Sequence, residues 1–317
     1  GTADVVQYGH GFLGRMAEAD NGWIRDFADR TGFVIVAMNM QGMDQETLDV
    51  WIPALSADVG NFPWFSEIPM QGVINQIAVQ RMMAGGFARD TDPRFTRDGE
   101  PVYDPARIHY TGNSQGGTLG TLTVALSTDV ERGVLGVPGC AFPFLLHRSH
   151  DFTAFELVLR GLFPDRTDAT LLLALLGTGF HRFDGLAFAP HLGDDPLPGT
   201  PPHDVLLHVA KEDAAVHNEN SFLLGRAAGA VAVPDAVRTP WGYTVAEYPI
   251  TEPVTMIEYD FGTPDDPTPL DPPPNEGNTH GWLRKLPEGQ DQLIHFLRTG
   301  EVIDTCYGAP CVFDGEP

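Results

Sequence analysis

Residues 107–127 constrain this chain more than any other stretch. Residues 108–111, Ile-His-Tyr-Thr, read as a short buried strand. From Gln115 onward, small residues lead into Leu119, Leu122, Val124 and Leu126, which read as a buried helix. Only Gly112-Asn113-Ser114-Gln115-Gly116 separates the two. A chain that passes from strand to helix so quickly must bend sharply at Ser114. The flanking glycines permit the bend, because a side chain there would strike the neighbouring strand or helix. The turn lifts the serine hydroxyl above the sheet edge and aims the positive end of the helix at the same point. A lone G-x-S-x-G recurs by chance; between a strand and a helix it points to a nucleophilic serine.

Around this turn the chain alternates strand and helix. Residues 5–8 read as the first strand, followed by the turn Gly9-His10-Gly11-Phe12-Leu13-Gly14. Residues 23–30 form an amphipathic helix and 33–37 a fully apolar strand, the kind that is buried on both faces in a parallel sheet. Residues 39–68 read as irregular or short helical, 71–88 as a helix, and 90–105 as a polar loop. Strands are expected at 133–137, 204–210 and 254–260, with helices at 216–228 and 287–298. Pro287 opens the last helix and Gly300 follows it. Residues 263–277 read as a proline- and aspartate-rich loop. Strands separated by helices of this length imply right-handed crossovers and a parallel sheet. The segment 142–202, rich in Phe and Leu, breaks the alternation and is expected to be a helical lid. The core is then 1–141 with 203–317. The chain opens almost directly on a strand, with none before Asp4, and an upstream part of a longer precursor is expected.

Composition narrows the partners. Nineteen Lys and Arg stand against 43 Asp and Glu, a formal net charge of −24. Such a surface repels nucleic acid and anionic membranes and suits high-salt or extracellular conditions. No apolar run approaches the ~18 residues of a membrane helix. Cys306 and Cys311 flank Tyr-Gly-Ala-Pro in a loop expected to close as a disulfide, which would imply export, with two unpaired thiols as the alternative; no export signal is visible. Cys140 reads as a small buried hydrophobe. No metal constellation and no phosphate-binding glycine loop appears, so neither metal nor cofactor is expected.

A serine hydroxyl needs a base within hydrogen-bond reach, and the base needs an orienting acid. Strand 204–210 runs into Lys211-Glu212-Asp213, offering Asp213 as the acid with Glu212 as its rival. His280, in Gly277-Asn-Thr-His-Gly-Trp282, lies after the last strand and before the last helix. The other histidines precede the acid, lie inside elements, or fall in or near the lid. The oxyanion of a tetrahedral intermediate needs fixed donors. The Gln115 N–H at the helix start is one, and the Phe12 N–H in the turn after the first strand is the other. His10, Gly11, Asn113, Phe142 and Phe144 are candidates for lining the substrate.

Together these residues resemble the α/β-hydrolase superfamily, and in particular exported bacterial lipases and esterases. The Gly9–Gly14 turn resembles their oxyanion turn and Gly112-Asn-Ser-Gln-Gly-Gly117 their nucleophile elbow, with the likeness running from residue 4 to about 299. The resemblance implies an α/β-hydrolase fold with a mostly parallel sheet, helices on both faces and an inserted lid, lacking the N-terminal strands of the full fold. It also implies Ser114 as nucleophile, His280 as base and Asp213 as acid, agreeing with the residue-level reading. The expected activity is hydrolysis of short- to medium-chain carboxylic esters, small or polymeric, through an acyl-enzyme. A polyester depolymerase, a thioesterase, and a catalytically silent module that kept the fold are the alternatives.

Overall fold

The computed structural model describes residues 2–90, 92–265 and 278–317. Strand β1 (Ala3–Gly9), helix α1 (Gly22–Thr31) and strand β2 (Val34–Ala37) open the chain. Helices α2 (Gln45–Ala57) and α3 (Phe62–Arg81) follow, then the short strands β3 (Thr96–Arg97) and β4 (Glu100–Pro101). Strand β5 (Tyr103–Asn113) leads through Ser114 into α4 (Gln115–Ala125), and β6 (Val130–Gly136) comes next. Four helices, α5 (Phe142–Leu146), α6 (Thr153–Leu162), α7 (Arg166–Phe180) and α8 (Gly185–Phe188), separate β6 from β7 (Asp204–Ala210). Helix α9 (Asn218–Ala227), strands β8 (Val231–Ala232) and β9 (Val254–Tyr259), and helices α10 (Thr279–Trp282) and α11 (Pro287–Thr299) complete the described elements.

Seven strands form one sheet in the order β2-β1-β5-β6-β7-β9-β8, and every pairing is parallel. Successive residues of a strand face opposite sides. Val5 accordingly joins one core with Tyr110, Val124, Leu135 and Phe222, while Val6 joins the other with Phe27, Val134, Phe296 and Leu297. Helices α1 and α11 therefore cover one face, and α4 and α9 the other. Because all strands run the same way, the ends of β1, β5 and β7 that lead into candidate residues lie along one edge.

Several boundaries differ from the sequence expectation. Residues 39–68, read as irregular or short helical, contain the 13-residue α2 and the first turns of α3. Asp44 caps α2 by accepting the Thr47 N–H at 2.9 Å, and a proline sits in the first turn of α3, where its missing N–H costs nothing. Pro53 and Pro69 lie inside these helices. Strand β5 begins at Tyr103, earlier than expected, because Ala3 pairs with Tyr103 across a register shift. The proline-rich loop lies outside the described residues from 266 to 277. Cys140 is fully buried, and burial pushes its thiol well above the usual range. Cys306 and Cys311 are joined in a disulfide. Among the described residues no single helix is long and apolar enough to cross a membrane.

Candidate active site

The turn between β5 and α4 is built by close approach. A Cβ at Gly112 would lie 2.6 Å from the Gly116 carbonyl, and one at Gly117 would lie 2.5 Å from the Gly136 oxygen. No side chain fits either gap. Ser114 takes φ 63° and ψ −122°, a region costly for a residue with a side chain. That strain is held from several sides. The Ser114 N–H donates to Gly136 O at 2.9 Å, Thr118 N–H donates to Ser114 O at 2.8 Å, and the buried Tyr110 hydroxyl donates to Gly116 O at 2.6 Å. The Ser114 side chain makes no capping bond to the helix it precedes. The Gln115 N–H, in the first turn of α4, has no intrahelical acceptor by geometry.

The turn after β1 lies against this bend. His10 is fully buried, and its Nε2 accepts the Met40 N–H at 2.8 Å. That leaves the proton on Nδ1, which donates to Gly11 O at 2.9 Å. Both ring nitrogens are thus spent in holding the turn. Gly14 N–H donates to the same Gly11 oxygen at 3.1 Å. Leu13, at φ 48°, donates its N–H to the Gln115 side-chain oxygen at 3.2 Å, and the Gln115 amide nitrogen donates to Met43 O at 2.6 Å. Gly11 N–H donates to Glu18 Oε2 at 2.9 Å. Of the four N–H groups from Gly11 to Gly14, that of Phe12 alone has no acceptor among the described residues. A trans peptide sets its N–H opposite its carbonyl. Two donors on Gly11 O therefore fix the direction of the Phe12 N–H.

Asp213 follows β7 and is 1% exposed. Its Oδ1 accepts the N–H groups of Ala215 and Val216 at 2.8 and 2.9 Å, and its Oδ2 meets His280 Nδ1 at 2.6 Å. Both oxygens of the carboxylate are thereby held by fixed partners. Glu212 points elsewhere: its Oε1 accepts from Arg238 Nη1 at 2.9 Å, and Arg238 also grips the buried Glu258 through Nε and Nη2. Asn218 completes this brace by accepting the Glu212 N–H at 2.8 Å and donating to Ala210 O at 2.7 Å. The sequence signal for Asn218 and Arg238 was absent, because both act across the loop from outside any motif. His280 sits in α10, whose first turn is capped by Asn278 accepting the Gly281 N–H at 2.9 Å.

The remaining candidates divide. Phe142 is buried, stacked on Phe180 at 5.2 Å between rings and also against Phe183, so its face is used in packing. Phe144 is exposed, with the Arg148 guanidinium 3.5 Å over its ring. Asn113 is buried beside Gly136. Two contacts tie the β6–β7 helices to the site. Phe155 of α6 meets Phe12 edge-on at 6.5 Å, and the His150 N–H donates to Ala214 O at 2.8 Å. Among the described residues no cluster of His, Cys, Asp and Glu could hold a metal ion.

No family model matches the chain, and no curated protein matches it. Solved structures do. Acylaminoacyl peptidase from Pyrococcus horikoshii superposes with a TM-score of 0.50 at 13% identity, over 96% of this chain and 39% of that one. Acetyl xylan esterase 1 from Thermoanaerobacterium sp. JW/SL YS485 gives 0.49 at 15% identity, over 83% of this chain and 71% of that one. A puromycin-hydrolyzing peptidase of Mycobacterium tuberculosis gives 0.48 at 12% identity, over all of this chain and 36% of that one. The parallel sheet, its strand order and the match to the Pyrococcus peptidase are those of the α/β-hydrolase fold.

Proposed function

We propose that this chain is a serine hydrolase that cleaves carboxylic esters of short to medium acyl chain. The observation that carries the reading is the 2.6 Å bond from Asp213 to His280, on the sheet edge that also bears the strained Ser114 turn. Ser114 Oγ attacks the ester carbonyl while His280 Nε2 takes its proton. Asp213 accepts the Nδ1–H, which holds the imidazole in the tautomer that has Nε2 free, and stabilises the imidazolium as it forms. The developing oxyanion is held by the N–H groups of Phe12 and Gln115, and losing one such donor costs about 10²–10³ in rate. His280 then returns the proton to the leaving alcohol. Water, activated by the same imidazole, hydrolyses the acyl-enzyme and frees Ser114.

Residues 142–202 act in this reading as a cap over the core formed by 1–141 and 203–317. The Phe155–Phe12 and His150–Ala214 contacts support it, because they join the cap to the oxyanion turn and to the acid loop. The apolar cap favours the acyl group as the buried part of the substrate. The Cys306–Cys311 disulfide supports an exported protein, since such bonds persist in oxidising compartments.

A fluorophosphonate probe tests the reading directly. Wild-type protein should be labelled at Ser114 and should turn over p-nitrophenyl butyrate. A folded protein that is neither labelled nor active is a silent module on the same fold.

A further inference from the structure

Gly11 is the weak point of the turn that carries the proposed oxyanion donor. With no side chain, its two flanking peptide planes rotate more freely than those of any other residue. The plane on its C-terminal side, which bears the Phe12 N–H, is held through Gly11 O by His10 and Gly14. The plane on its N-terminal side is held through the Gly11 N–H by one group, the carboxylate of Glu18 at 2.9 Å.

That carboxylate lies in the concave side of the turn. Both its oxygens are 3.7 Å from where a Cβ at Gly11 would stand, and a Cβ at Gly14 would overlap Oε1. The carboxylate thus lies in contact range of Gly11, and the turn has room for it because Gly14 lacks a side chain. Glu18 is itself fixed by a short helical turn, Met16–Asp20: its N–H donates to Arg15 O and its carbonyl accepts from Asn21 N–H, each at 3.0 Å. A bond from a backbone N–H to an ionised carboxylate is among the strong hydrogen bonds available to a loop.

We infer that Glu18 is a positioning residue of the oxyanion site: by accepting the Gly11 N–H it fixes the peptide plane before Gly11 and, with the two donors that hold the plane after it, keeps the Phe12 N–H from swinging about Gly11. This inference rests on the proposed ester hydrolysis. Glu18 needs no contact with substrate to act. It removes the freedom that Gly11 brings, so that the donor is aimed before the oxyanion forms instead of being recruited during the reaction. A donor displaced by about 1 Å is enough to cost up to ~10²-fold.

The experiment compares two substitutions of similar size. Glu18→Gln keeps an oxygen for the Gly11 N–H, and Glu18→Met fills the same space without an acceptor. Each is assayed with p-nitrophenyl butyrate, and each is titrated with a trifluoromethyl ketone, which adds to the serine and places an oxyanion in the site. Glu18→Met should lower kcat by about 10- to 100-fold with KM within about twofold, and should weaken the ketone by a similar factor. Glu18→Gln should restore both to within about threefold of wild type, the size expected for exchanging one acceptor for another. Equal behaviour of Gln and Met, whether both wild-type-like or both impaired, overturns the positioning role. So does a loss that appears only in KM. Failure of the underlying reading is seen separately, as wild-type protein that neither turns over ester nor binds the ketone.

Discussion

Helices α4 and α6 have nearly the same length and opposite surroundings. All eleven residues of α4 are buried, and none of the ten residues of α6 is. Their sequences run against this. Helix α4 carries Gly116, Gly117 and Gly120 with three threonines, a poor set of helix formers, whereas α6 is rich in Leu, Ala, Glu and Arg and adds a Glu156–Arg160 pair one turn apart. Packing, not propensity, makes α4 a helix: neighbouring backbone leaves no room for a side chain at Gly116 and Gly117, and the Tyr110 and Leu135 side chains crowd Gly120. Helix α6 keeps Leu157, Val158 and Leu162 largely exposed and is held through a partly buried stripe that includes Phe155 and Leu159. One region is over-determined, as a strained serine turn requires. The other is sustained mostly by its own local sequence and has little to lose by moving.

The contrast fixes where a substitution should be felt. The largest effect is expected inside the rigid region. Ser114→Ala should reduce ester hydrolysis by about 10⁴-fold or more, the scale of losing a triad member, while the circular dichroism spectrum stays that of wild type. Turnover retained by the purified variant would remove Ser114 from the mechanism.

The acid loop comes next. Asp213→Asn should cost about 10⁴-fold in kcat, because an amide facing His280 Nδ1 stabilises the wrong tautomer. Glu212→Gln, which touches Arg238 and not the imidazole, should leave kcat within a few-fold of wild type. Steady-state kinetics on the two variants would show the acid to be misassigned if their phenotypes were exchanged.

Amide hydrogen exchange compares the two helices without any mutation. Amides within α4 should exchange only by global opening, and those within α6 about 10³-fold faster or more. Equal protection would mean that α6 is anchored as firmly as the elbow helix.

Acid should unfold the protein from the sheet. His208 of β7 is fully buried, and burial holds its imidazole down at about 4, with Gln292 accepting from Nε2 at 2.9 Å and opposing that shift. The unfolded chain binds this proton near pH 6.5. Between those values the unfolded state holds more protons, so stability is complete above pH 6.5 and falls as pH drops toward 4, by on the order of 3 kcal/mol for this group. Thermal midpoints measured across that range should decline, and His208→Gln should shallow the decline.

The smallest effect belongs to the cap. Each methylene buried in the transition state contributes about 0.8 kcal/mol, roughly fourfold in rate. kcat/KM should rise from acetyl to butyryl or hexanoyl esters and then fall as the pocket fills. Phe155→Ser, in a variant that keeps its circular dichroism, should flatten the rise. A preference for acetate that no cap substitution alters would make residues 142–202 a structural subdomain.

Much of the sheet was legible because its strands are apolar on both faces and its helices begin and end on Pro, Gly and Asp. The full extent of the helices over 45–70 was not. Pro53 lies inside α2 and Pro69 inside α3, two helices joined by the contact of Trp51 with Phe65. Glu18, Asn218 and Arg238 carry no local mark either. Each acts on a backbone group or a carboxylate brought near by the fold, at a separation no motif spans.

The sequence by itself determined the serine turn and the order of Ser114, Asp213 and His280 along the chain. Those follow from local sterics and from the periodicity of apolar residues, which a linear chain displays openly. Tertiary structure decided the finer matters. It set Asp213 against His280 and Glu212 against Arg238, two adjacent carboxylates separated by the positive φ of 54° at Glu212. It gave His10 its tautomer through the Met40 N–H, and it left the Phe12 N–H as the open donor of its turn. Hydrogen-bond directions depend on which distant groups arrive at each atom, and only the folded chain brings them there.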